Sequence, residues 1–128
     1  MTETQATILV IDDDPALREL LRKTLEHDGH RVITAADGAE GLDVYRSVAC
    51  DIVVTDLFMP GKDGIETIQE LRMEFPEARI IAMSGGASTG DMGSLMDARL
   101  LGADLALPKP FTMASMSRAV ESLLDGGA

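Results

Sequence analysis

The sequence predicts one α/β domain: a doubly wound sheet of five parallel strands with helices on both faces. Strand and helix signals alternate five times along 128 residues, the pattern that builds a parallel sheet through crossover helices. Three apolar runs, Ile8-Leu9-Val10-Ile11, Ile52-Val53-Val54-Thr55 and Leu105-Ala106-Leu107-Pro108, end directly on charged residues. These are Asp12, Asp13 and Asp14, then Asp56, then Lys109. A short unbroken apolar run reads as a strand buried on both faces, and a charge at its end reaches the carboxyl edge, where open α/β sheets bind ligands. The 45% apolar content over this length suffices for one core.

Strands are expected near residues 7–11, 31–35, 51–55, 79–83 and 104–107. The first helix has Asp14 as a cap, Pro15 at its first position and Leu17, Leu20, Leu21 and Leu25 as its apolar stripe, with Gly29 closing it. Residues 38–47 form a second helix with a thinner stripe of Leu42 and Tyr45. Ile65, Ile68, Leu71 and Phe75 mark a third, ended by Pro76. The glycine-rich stretch from Gly85 to Gly93 reads as a flexible loop leading to a fourth helix near Asp91 to Leu101. It lacks the Gly-Lys-Ser/Thr ending of a nucleotide-binding loop. Thr112 opens a fifth helix carrying Met116, Val120, Leu123 and Leu124. Residues 1–6 and 125–128 are expected as tails flanking a domain over 7–124, with no output domain following it.

Charge narrows the function classes. Eleven Lys plus Arg against 22 Asp plus Glu give a formal charge of −11, which disfavours direct nucleic-acid binding and attraction to an anionic membrane. A protein, a cation or a small phosphate compound fits better. Cys50 is the single cysteine, so there is no disulfide framework and a reducing compartment is expected. The first six residues have neither a basic start nor an apolar stretch, and no run approaches the ~18 apolar residues of a membrane span. A cytoplasmic protein is the resulting expectation. His27 and His30, near the return from the first helix, read as surface or capping residues.

In a sheet of order 2-1-3-4-5 the ligand crevice opens between strands 1 and 3, where the order reverses. Asp12 and Asp13 end the first of these strands and Asp56 the other. Carboxylates gathered there repel one another, and a hard divalent cation such as Mg2+, which binds one or two carboxylates plus water and phosphate oxygens, would offset that repulsion. A lysine can bridge a carboxylate and a phosphoryl oxygen, and a carboxylate can attack phosphorus to give an aspartyl phosphate. Ser84 ends the fourth strand and offers a hydroxyl. Asp14 is as well explained by capping as by metal contact.

Asp12-Asp13, the run from Asp51 to Asp56, Met59-Pro60 with Asp63-Gly64, Ser84, Gly102-Ala103-Asp104 and Lys109-Pro110-Phe111 together resemble the receiver domain of two-component response regulators. The resemblance extends in order from about Thr7 to Leu124 and implies a flavodoxin-like fold. It implies that Asp56 accepts a phosphoryl group from a sensor histidine kinase, a phosphotransfer protein or a small donor. Asp13 would then bind Mg2+ directly, Asp12 through water, and the backbone carbonyl of Phe58 would add an oxygen. By the same resemblance Ser84 and Lys109 would contact the phosphoryl group, Gly85 would leave room for it, and the Lys109–Pro110 bond would be cis. Slow autodephosphorylation is expected with the bulky Phe58 beside the route of water. Downstream proteins would be met through the fourth helix, fifth strand and fifth helix.

One position departs from the pattern. Receivers usually carry Tyr or Phe three residues before the lysine, and here Ala106 occupies that place. Alanine has no rotamer to switch, so readout is expected to run through the Gly85 to Gly93 loop and the face of the fourth helix. Ala106 also supports an alternative, a binding module with this fold that works without phosphorylation. A small phosphohydrolase of the haloacid dehalogenase type would use Asp12 as nucleophile, but the chain lacks its cap domain and later acidic pair and would leave Asp56 without a role.

Overall fold

The computed structural model describes residues 5–57, 64–84 and 102–126. Its elements, in chain order, are β1 (Thr7–Ile11), α1 (Pro15–His27), β2 (Arg31–Ala35), α2 (Gly38–Ser47), β3 (Ile52–Asp56), α3 (Gly64–Glu74), β4 (Ile80–Ser84), β5 (Leu105–Pro108) and α4 (Met113–Gly126). All strands pair in parallel, in the order β2-β1-β3-β4-β5. This is the flavodoxin-like arrangement expected, with four helices among the described residues. The helix expected near 91–101 and the loop before it lie outside them.

The helices form where the sequence supplies caps. The Asp14 carboxylate accepts the Ala16 N–H at 3.0 Å, and Pro15 occupies the first helical position, where a missing N–H costs nothing. Gly29 closes the turn after α1 at φ +101°, a left-handed conformation that favours glycine. Leu21 and Leu25 are fully buried, which stabilises by roughly 1.5–3 kcal/mol each. Leu20 differs from expectation and is 48% exposed, because it lies about 100° around the helix from Leu21. At α2, Asp37 accepts the Glu40 N–H and Glu40 accepts the Ala36 N–H, so the two acids cap in both directions. Thr112 Oγ1 accepts the Ser115 N–H at the start of α4.

Side chains from alternate strand positions fill two layers. Leu9, Ile11, Val53, Ile80 and Ala82 face α2 and α3, joined there by Leu42, Ile68 and Leu71. Ile8, Val10, Ile52, Val54, Ile81 and Met83 face α1 and α4, joined by Leu21, Leu25, Met116 and Val120. Burial on both faces is why these strands read as continuous apolar runs instead of alternating ones. Ala106 pairs in register with Ala82 and packs, partly buried, on the α2–α3 side.

His30 is not the surface residue expected. It is 6% exposed, and its Nδ1 accepts the Ala6 N–H at 3.1 Å, which ties the segment before β1 to the start of β2. The partner is 24 positions away, so nothing local announces it. Cys50 is buried, its thiol directed at the Val48 carbonyl at 3.3 Å, and burial pushes its pKa up from 9.0 to about 11, with Asp51 adding to the rise. The folded protein therefore disfavours the thiolate, and this contribution to stability is present below pH 9 and lost as pH rises toward about 11. Iodoacetamide at pH 8 should label native Cys50 far more slowly than the urea-unfolded chain. Equal rates would contradict this assignment.

Candidate functional site

Strand register assembles the charged rim. Ile11 lies opposite Thr55, so Asp12, one residue on, comes beside Asp56 at the carboxyl edge. Asp56 is the last residue of β3, opposite Met83, and the ladder continues to the Leu57 N–H, which donates to the Met83 carbonyl at 2.9 Å. Ser84 lies opposite Pro108, and Lys109 follows. β2 flanks β1 on one side and β3 on the other, so Asp12 and Asp56 sit where the strand order reverses.

Asp12 is fully buried, Asp56 is 6% exposed and Asp13 faces solvent. Each can present a carboxylate oxygen such that the three lie within 4.8 Å of one another. Lys109 reaches between two of them, its Nζ 3.4 Å from Asp12 Oδ2 and 3.3 Å from Asp56 Oδ2. Both distances exceed the 2.7–2.9 Å typical of a tight charge-assisted hydrogen bond, so the lysine acts mainly as a point charge shared by two acids. Two like charges about 4 Å apart near a protein surface repel by roughly 4 kcal/mol, and one ammonium does not neutralise three carboxylates. The donor set is all hard oxygen, with no histidine or cysteine in the group, which fits Mg2+ or Ca2+ and not a soft metal.

Asp14 and two residues that the sequence did not mark, Arg18 and Thr55, hold this rim. The Asp14 N–H donates to Asp12 Oδ1 at 2.8 Å, so Asp14 caps α1 with its side chain and orients Asp12 with its backbone. Arg18, one turn into α1, donates from its guanidinium to the Asp12 carbonyl at 2.9 Å. Thr55, fully buried, donates its hydroxyl to the Asp56 carbonyl at 3.1 Å. No sequence signal separates Arg18 or Thr55 from an ordinary helix or strand residue. The Lys109–Pro110 bond is cis, as the resemblance implies. Phe58 lies outside the described residues, and of Ser84 only the backbone is described.

An acid cluster and a lysine thus meet at the switch point of a five-stranded doubly wound sheet. A family model, the response regulator receiver domain, matches residues 8–121. The chain belongs to that receiver family. The response regulator MprA of Mycolicibacterium vanbaalenii is 39% identical over 117 residues, covering 91% of this chain and 49% of that protein. Its counterpart from Mycobacterium avium is 38% identical over 117 residues, covering 91% and 50%. The chain thus spans about half the length of these curated relatives. A receiver domain protein from Clostridium thermocellum superposes with a TM-score of 0.87 at 31% identity, covering 95% of this chain and 96% of the other. The receiver domain of the Francisella response regulator 1452 gives 0.87 at 27% identity, covering 97% and 100%.

Proposed function

We propose that this chain is a phosphoacceptor switch of a two-component system, with Asp56 taking a phosphoryl group from a sensor histidine kinase, a phosphotransfer protein or a small phosphodonor. The observation that carries the proposal is the pairing of Asp56 with Lys109 inside a cluster of three carboxylates at the switch point. A carboxylate oxygen of Asp56 attacks phosphorus, the bond from phosphorus to the donor's leaving atom breaks, and the leaving group departs with the electron pair. The product is an acyl phosphate on Asp56. Asp12, Asp13 and Asp56, with the backbone carbonyl of Phe58, would hold Mg2+, which when bound offsets the negative charge of the incoming phosphoryl oxygens. Lys109 exchanges its carboxylate partner for a phosphoryl oxygen, and the Ser84 hydroxyl takes another. Slow hydrolysis then returns the domain to its resting state.

The phosphohydrolase alternative would need Asp12 as nucleophile, and Asp12 is fully buried with its Oδ1 already accepting the Asp14 N–H. Altered contacts with a downstream protein, through the segment 91–101, β5 and α4, would carry the signal, in the cytoplasm. No helix among the described residues is long and apolar enough to cross a membrane.

The test is intact-mass measurement after incubation with Mg2+ and acetyl phosphate. One phosphate-sized increment, lost when a chelator replaces Mg2+, is expected. An increment indifferent to the chelator, or none at all, would sink the proposal.

A further inference from the structure

We propose that Gly64 is a positioning residue that sets the Asp56 carboxylate through the Asp56–Leu57 peptide, an inference that rests on Asp56 being the phosphoryl acceptor. Gly64 is the buried first residue of α3, and its N–H donates to the Leu57 carbonyl at 3.0 Å. A Cβ at this position would overlap the Asp56 carbonyl oxygen and come within 2.7 Å of Leu57 Cα and 2.8 Å of the Asp56 carbonyl carbon. Real Cβ atoms do not approach backbone so closely, and backbone cannot swing aside as a side-chain tip can. The demand is for space alone, since among the described residues the glycines with left-handed backbone are Gly29 and Gly102 and not Gly64.

The same peptide is held from its other sides. The Thr55 hydroxyl donates to the Asp56 carbonyl at 3.1 Å, and the Leu57 N–H donates to Met83 at 2.9 Å. α3 cannot retreat freely, because Ile68 and Leu71 on its inner face are fully buried in the sheet-facing layer. A methyl group at Gly64 therefore pushes on the peptide that carries Asp56. The carboxylate must move with it, away from a geometry in which its Oδ2 lies 3.3 Å from Lys109 Nζ. Misplacement of a reacting group by about 1 Å can cost roughly a hundredfold in rate.

Gly41 supplies the control. A Cβ there is crowded too, but the atoms it meets belong to the Ile11 side chain, with Cγ1 2.8 Å away, and not to backbone. The experiment measures phosphorylation of wild type, Gly64→Ala and Gly41→Ala by acetyl phosphate over a Mg2+ titration, divided by the folded fraction from circular dichroism. Trimethylamine N-oxide is added wherever a variant is partly unfolded, because it favours the compact state. The expected result is a rate per folded Gly64→Ala molecule lower by about tenfold or more at saturating donor and metal, with Gly41→Ala close to wild type. A Gly64→Ala rate per folded molecule equal to wild type overturns the positioning role and reduces Gly64 to a packing residue. Failure of wild type to take up phosphate would instead remove Asp56 as acceptor, and the inference with it.

Discussion

Asp56→Asn is expected to abolish the phosphate-sized mass increment while leaving the protein folded. The amide offers no carboxylate oxygen to attack phosphorus and cannot form an acyl phosphate. Its structural consequences should be small. Asp56 belongs to a cluster of three carboxylates within 4.8 Å, so neutralising it removes like-charge repulsion as well as one of the two partners of Lys109. Lys109 keeps Asp12 at 3.4 Å. The melting temperature measured without divalent cation should therefore equal or exceed that of wild type, and Mg2+ should raise it less than it raises the parent. An increment that persists in Asp56→Asn would place the acceptor elsewhere, with Asp12 the first residue to examine. A large drop in stability would show that the repulsion is already relieved in the parent.

The largest loss of stability is expected from Arg72→Ala, at the opposite edge of the sheet. From α3 the Arg72 guanidinium donates to the carbonyls of Pro76 at 2.7 Å, Ala78 at 2.6 Å and Gly102 at 2.5 Å, and pairs with Asp104 at 3.1 Å. Asp104 in turn accepts the Ile80 N–H at 2.8 Å and donates its own N–H to the Ile80 carbonyl at 2.8 Å. One planar side chain thus ties together the end of α3 and the entries to β4 and β5. Gly102 sits at φ +128°, and a Cβ there would come within 3.2 Å of Arg72 Nε, so glycine is needed for both backbone and space. Removing the guanidinium leaves these carbonyls short of a charged donor, and a cost of about 2–4 kcal/mol follows. Urea denaturation measures it directly. Arg72→Lys should recover less than half, because a compact ammonium cannot reproduce the guanidinium's fork of donors to three carbonyls. A loss below about 1 kcal/mol in the alanine variant would show that water replaces the side chain at little cost.

β1, β3 and β4 were legible because both of their faces are buried, so their apolar runs gave their positions to within a residue. The charges at strand ends and the family motifs placed Asp12, Asp13, Asp56 and Lys109 on one rim. Errors arose where burial depends on a partner remote in sequence. His30 follows a helix-closing glycine and looks like a cap, yet Ala6 makes it a buried acceptor. Leu20 looks like part of the α1 stripe, yet it lies about 100° around the helix from buried Leu21 and is exposed. Gly64 was visible only as part of a motif, and Arg72 carried no signal, since its partners span residues 76 to 104.

By itself the sequence determined the kind of fold, the family and the inventory of charged groups at strand ends. These depend on hydrophobic runs, caps and motif order, all written locally along the chain. Only the tertiary structure decided that Lys109 lies between Asp12 and Asp56 and that Gly64 abuts the peptide bearing Asp56. Those are through-space relations. They are set by strand register and by helix docking to within an ångström, and a one-dimensional pattern of residue types does not encode distances at that scale.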